Sequence, residues 1–317
     1  MAGRYIKGRR LIKFLIVIVL LLLLFGGAAR IVVAGGAKSL DMGDRLLGGG
    51  GGRLLAAGEP YGKGARQALD IWVPVNATEA DRLPVVVFFY GGGWNSGARG
   101  DYGFAGRALA AQGFVVVIPD YRLHPEAHWP DFLEDGAAAV AWTRRHIAGF
   151  AGDSDRIALM GHSAGAYIAA MLALDPTWLR GAGSDPAILR GVAGLAGPYD
   201  FLPMGKGGSA DKAMGNIRPA ERTQPIAHAR GDAPPLWLAS GEEDEKVRPR
   251  NSRNLAAAIE RAGGEAMLRL YPGMGHTGIV MALAQPFRGK GPVLEEAADF
   301  LRGVTARRIA PAEGDAQ

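Results

Sequence analysis

No cysteine occurs in the 317-residue chain. That absence removes disulfide staples, Cys-ligated zinc, iron–sulfur clusters and a cysteine nucleophile. Acidic residues are missing from residues 1–37, which carry Arg4, Lys7, Arg9, Arg10, Lys13 and Arg30. Setting those six aside from the 36 bases leaves 30 against 31 acids, so the net charge of +5 belongs to the N-terminus. It is not the basic face that a nucleic acid would need. The 48 glycines follow no G-X-Y period, which excludes collagen. The phosphate-cradling run G-x-x-x-x-G-K-[ST] is absent, and so are internal repeats. What remains, 48% hydrophobic and 21% charged, is an ordinary globular composition on a chain long enough to bury a large core.

The basic N-terminus runs into residues 14–25, an uncharged stretch of Leu, Ile and Val closed at each end by Phe. Gly26, Gly27, Ala28 and Ala29 extend it, Arg30 interrupts it, and Ile31-Val32-Val33-Ala34 resumes it. A bilayer span needs about 20 apolar residues and a signal h-region about 7–15. Two readings stand: an uncleaved anchor, or a signal cut after Val32 and Ala34. Either places the body on the non-cytoplasmic side, because the bases stay inside. Residues 1–37 are therefore expected to be an anchor or signal holding one apolar helix. Residues 38–59, with the run Gly48 to Gly52, are expected to be a flexible linker.

From Gln67 onward short apolar runs alternate with helical spacing. Strands are expected over 69–73, 85–90, 114–118, 156–160, 192–196, 236–239 and 265–271. Helices are expected over 102–112, 130–145, 164–174, 251–261 and 292–301. The run 85–90 is apolar without alternation, as in a parallel strand buried on both faces. Repeated strand-then-helix predicts an α/β fold with a mostly parallel sheet and helices on both faces. Sites in such sheets lie just past the carboxyl ends of strands.

Gly161-His162-Ser163-Ala164-Gly165 matches G-x-S-x-G between a strand and a helix. In that context it predicts a nucleophile elbow, a cramped turn presenting the Ser163 oxygen. A serine hydroxyl is a poor nucleophile and needs a base. Of the histidines after Ser163, His228 precedes a strand, whereas His276 directly follows the strand 265–271 and is the expected base. The other histidines, His162 included, read as surface or pocket-lining. The orienting acid belongs after strand 236–239, where Glu242, Glu243, Asp244 and Glu245 compete. Asp244 is favoured because the chain must turn back toward His276 before Val247 re-enters the core. Backbone donors for an oxyanion are expected in Tyr90-Gly91-Gly92-Gly93-Trp94, from Gly92 or Gly93, together with the N–H of Ala164.

Four blocks together carry a resemblance. They are Tyr90-Gly91-Gly92-Gly93-Trp94, Asp120-Tyr121-Arg122-Leu123-His124-Pro125-Glu126, Gly161-His162-Ser163-Ala164-Gly165, and the acidic turn from Gly241 with Gly275-His276. The chain resembles α/β-hydrolase serine esterases over residues 60–303, in the branch of carboxylesterases, feruloyl-esterase-like and kynurenine-formamidase-like proteins. The resemblance implies a triad of Ser163, Asp244 and His276, an oxyanion hole from Gly92, Gly93 and Ala164, and no cofactor or metal. It implies hydrolysis of a carboxylic ester; the modest size of the chain and its lack of a long apolar insertion favour short acyl chains or aryl esters. An arylformamidase-type amide hydrolase, a serine peptidase on the same fold and a membrane-tethered binding module are the rivals. One departure stands out: the family usually has His ahead of the glycines, and here Tyr90 takes its place, so a phenol hydrogen bond is expected to hold the loop. Residues 197–225, rich in glycine and charge, are either a lid or a surface excursion, and 304–317 a tail.

Overall fold

A computed structural model describes residues 36–306; the apolar segment 14–34 lies outside them. Eight strands form one sheet: β1 (Gly52–Pro60), β2 (Ala68–Pro74), β3 (Leu83–Phe89), β4 (Val115–Pro119), β5 (Gly152–His162), β6 (Leu189–Leu195), β7 (Leu236–Gly241) and β8 (Ala266–Tyr271). Their order is β1-β2-β4-β3-β5-β6-β7-β8. β1 and β2 pair antiparallel and β2 joins β4 antiparallel; every pairing from β4 to β8 is parallel. Val85 to Phe89 are fully buried at the centre of the sheet, as their unbroken apolar run requires.

Parallel neighbours demand crossovers, and helices supply them on both faces. α1 (Gly36–Leu46), α2 (Gly103–Ala111), α3 (Asp131–His146), α4 (Ala164–Leu174), α5 (Thr177–Gly181), α6 (Ser209–Met214), α7 (Arg250–Arg261), α8 (Gly278–Met281) and α9 (Val293–Ala306) follow in chain order. α4 is buried at every residue, which explains why it is apolar all round. Register brings the carboxyl ends of the strands side by side: Phe89 pairs with Gly161, His162 with Leu195, Leu195 with Ala239, and Gly241 with Tyr271. The loops after β3, β5, β7 and β8 therefore converge.

The N-terminal part differs from its sequence reading. Residues 38–59 contain α1 and β1 instead of a free linker. Two acids explain the docking. Asp44, with no exposed surface, accepts from Arg107 Nε at 2.8 Å and from the Gln285 N–H at 2.7 Å. Asp41 accepts from Arg107 Nη2 at 2.7 Å. Removing one partner of such a buried cluster costs about 3–5 kcal/mol, so α1 is pinned to α2. The glycines serve close approach: a Cβ on Gly52 would sit 2.7 Å from the Arg107 carbonyl oxygen. At the other end α9 continues to Ala306, past the expected start of a tail. Among the described residues no helix is long and apolar enough to cross a membrane.

Candidate active site

Ser163 lies between β5 and α4 at φ 54° and ψ −120°, a conformation that L-residues rarely adopt. Its neighbours permit the turn because they are glycines. A Cβ on Gly165 would collide with the Phe89 carbonyl, and one on Gly161 with the backbone of Gly165. The Ser163 N–H donates to the Leu195 carbonyl at 2.8 Å and fastens the turn to β6.

His276 follows β8 and reaches Ser163 Oγ with Nε2 at 2.9 Å. Its Nδ1 lies 2.8 Å from Asp244 Oδ2. An ionised carboxylate only accepts, so Nδ1–H donates to Asp244 and Nε2 is left to accept the Ser163 proton. Asp244 is the one buried member of the acidic turn; Glu242, Glu243 and Glu245 point to solvent. Its other oxygen, Oδ1, accepts from the N–H groups of Lys246 at 3.0 Å and Val247 at 2.8 Å, which fixes the carboxylate. Of the four acids, Asp244 is the one that burial and backbone donors hold against His276.

Gly93, Trp94, Ser163 and Ala164 wall a cavity of about 180 Å³. Gly92 is not on its wall. It makes the turn instead, at φ 146°, with its carbonyl accepting from the N–H groups of Asn95 and Ser96. Gly93, at φ 60°, faces the cavity. Phe201, Met204, Ser209 and Ala210 from the 197–225 excursion complete the wall with Lys246 and Val247. In sequence that excursion reads as either a lid or a surface segment with none of these side chains marked, since no spacing signal marks a side chain that merely lines a pocket.

Tyr90 is buried and stacked between Tyr102 and Tyr121, with ring centroids 5.4 and 4.7 Å away. Its hydroxyl donates to Asp120 Oδ1 at 2.8 Å and accepts from Arg66 at 2.7 Å. Burial, and then Asp120, push the phenol well above its usual range, so it stays a donor. Arg66 also donates to the Gly97 carbonyl at 2.7 Å, and Arg99 pairs with both Asp70 and Asp120. This network holds the glycine loop from behind, as the expected phenol bond requires. The block starting at Asp120 is structural: Arg122 pairs with buried Asp135 at 2.9 Å.

His162 is buried, with its ring 5.1 Å from that of His276. A carbonyl only accepts, so His162 Nε2–H donates to the His276 carbonyl at 3.1 Å, and Nδ1 has no partner among the described atoms. Burial, then the neighbouring His276, push this imidazole down to about 3. In the unfolded chain the group titrates near 6.5. Between those values the unfolded chain takes up a proton that the folded one refuses, so stability falls as pH falls through that window. Urea unfolding is expected to show about 2–3 kcal/mol of acid destabilisation between pH 7 and pH 4.5 from this group. His162→Gln keeps an N–H toward His276 but cannot titrate. A stability gap between wild type and this variant that stays constant with pH would count against the assignment. His228 lies apart from the site, with Nε2 on the Arg222 carbonyl at 3.0 Å.

A strained serine elbow, a hydrogen-bonded Asp–His–Ser series and a glycine loop beside them, all at the carboxyl edge of this sheet, define an α/β-hydrolase. The chain belongs to the BD-FAE family, whose model matches residues 69–259. It is 30% identical over 285 residues to a rice (Oryza sativa subsp. japonica) protein named "Probable isoprenylcysteine alpha-carbonyl methylesterase ICMEL1", covering 79% of this chain and 66% of that protein. It is 29% identical over 271 residues to esterase LipQ of Mycobacterium tuberculosis, covering 80% of this chain and 64% of that one. The chain thus spans a little under two thirds of the length of these curated relatives. Among solved structures, a truncated carbohydrate esterase from gut microbiota superposes with a TM-score of 0.68 at 20% identity, covering 80% of this chain and 96% of that one. Esterase 2 of Thermogutta terrifontis gives 0.64 at 23%, covering 80% and 95%. These two share the fold.

Proposed function

We propose that the protein is a serine hydrolase that cleaves a carboxylic ester through an acyl-enzyme. The observation that carries this is the continuous series Asp244 Oδ2–His276 Nδ1 at 2.8 Å and His276 Nε2–Ser163 Oγ at 2.9 Å. His276 takes the Ser163 proton as Oγ attacks the ester carbonyl; Asp244 holds the tautomer and stabilises the imidazolium. The N–H groups of Gly93 and Ala164, both at the cavity wall, are the donors for the developing oxyanion, with Gly92 shaping their loop. His276 then protonates the departing alcohol, and water, activated by the same imidazole, releases the acid. No step needs a metal or cofactor. The esterase names of the relatives support this reading.

The acyl group is short. A cavity of about 180 Å³ lies below the ~300 Å³ at which drug-sized ligands are usually enclosed. Turnover of nitrophenyl esters is expected to be highest for acyl chains of about two to six carbons. A maximum at about twelve carbons or beyond would contradict this reading.

The body lies on the non-cytoplasmic side, tethered by the apolar segment. Five bases ahead of Phe14 resist transfer, and the uncharged residues 14–29 favour lipid. Fractionation with intact-mass measurement is expected to find a membrane-bound species retaining residues 1–37. An exported soluble species beginning near Gly35 would instead establish cleavage, and a full-length soluble cytoplasmic species would refute both.

A further inference from the structure

The polarity of α1 is inverted. Its inward face holds Leu40 with the two acids Asp41 and Asp44; Arg107 pairs with both, and Arg45 pairs with Asp41 as well. Its outward face holds Lys38, Met42, Arg45 and Leu46, spaced i, i+4, i+7 and i+8, with Leu47 following. Met42 is 62% exposed, Leu46 80% and Leu47 57%. Among the described residues seven large hydrophobics are exposed, and six of them fall between Met42 and Val75; only Met267, on the opposite edge of the sheet, lies elsewhere. Leu54 and Leu55 belong to this group and sit on β1, an edge strand, beside exposed Arg53. A soluble surface usually blunts such an edge with charge. Apolar side chains flanked by Lys and Arg are instead the composition of a helix lying in a lipid interface.

We propose that the outward face of α1 rests on an anionic lipid surface and holds the catalytic body against the bilayer. This rests on the tether proposed above and replaces a flexible stand-off with a fixed one. Two arguments choose lipid as the occupant. The uncharged apolar run ends at Ala29, with six residues between it and Gly36, which opens α1, so a chain leaving the bilayer there delivers α1 at its surface. Lys38, and the largely exposed guanidinium of Arg45 that also pairs with Asp41 at 2.9 Å, complement anionic headgroups, while Met42, Leu46 and Leu47 suit the acyl boundary. The clamp to Arg107 and Gln285 stops α1 from swinging free. Gly36, Ala37 and Leu40 also wall a small cavity shared with His162 and Thr277, the residue after His276. The lipid-facing helix therefore lies beside the turn that carries His276.

The absence of cysteine makes the test direct. Full-length Leu46→Cys and Met267→Cys variants are labelled with an environment-sensitive fluorophore and reconstituted into vesicles of phosphatidylcholine and phosphatidylglycerol. Flotation reads the tether and the label reads the face. In floated protein the label at position 46 is expected to shift to the blue and lose most of its quenching by aqueous iodide, while that at position 267 keeps its quenching. Adding Met42→Glu to Leu46→Cys is expected to restore quenching without altering turnover of a soluble nitrophenyl acetate. Floated protein whose label at 46 is as accessible as that at 267 overturns this proposal and leaves the tether standing. Protein that does not float overturns the tether and this face with it. Shielding that grows with protein concentration at fixed lipid assigns the face to a second copy and also overturns it.

Discussion

Ser163→Ala and His276→Ala are each expected to lower kcat on an aryl acetate by about 10⁴-fold or more, with the fold intact. That is a loss of about 5–6 kcal/mol of transition-state stabilisation. The size follows from a shared task. Without Oγ there is no atom to form the acyl-enzyme. Without the imidazole the hydroxyl 2.9 Å away keeps its proton and is a poor nucleophile. Folding is spared because neither side chain carries the core: Ser163 is small and the His276 ring makes its bonds within the site itself. The measurement is turnover by purified variants free of host esterase, with unfolding curves run in parallel. Near-wild-type turnover by either variant would remove the triad from the mechanism.

For Asp244→Asn the expected loss in kcat is about 10⁴-fold, with KM little changed. The physical cause is a tautomer. The amide oxygen would keep the N–H groups of Lys246 and Val247, because these can only donate. The amide nitrogen would then face His276 Nδ1 as a donor and turn that atom into an acceptor. The ring proton would move to Nε2, which could no longer take the proton of Ser163. Glu242→Gln and Glu243→Gln change exposed side chains outside this arrangement and are expected to stay within a few-fold of wild type. If either glutamine variant lost activity while Asp244→Asn kept it, the acid would have been misassigned.

How much was legible varied with range. The serine elbow could be read because its requirement is local: glycines two positions to either side of Ser163, a strand before and a helix after. His276 could be read because its strand precedes it immediately. Asp244 could be favoured among four carboxylates by the turn back toward His276, not by spacing, which cannot tell a buried acid from an exposed one within a single turn. Tyr90 was legible as a departure. Its partners Asp120 and Arg66, 30 and 24 residues away, were not assigned to it. The glycines at 48–52 misled for a related reason. Glycine marks both a free chain and a chain pressed against its neighbours, and only Ala110 and Arg107 beside Gly52 distinguish the two.

The sequence by itself determined the class of fold, the succession of the main strands and helices from β2 onward, the elbow around Ser163 and the place of His276 just past a strand. Each of these is written in periodicity or in contiguous residues, where the backbone's own geometry does the selecting. The tertiary structure decided which of the four acids bonds to His276, which glycine lines the cavity, and how Tyr90 supports the loop. It also decided that α1 is clamped to the body with its apolar side outward. All of these depend on burial and on hydrogen bonds between residues far apart in the chain. Such contacts exist only once the sheet has set the ends of β3, β5, β7 and β8 beside one another.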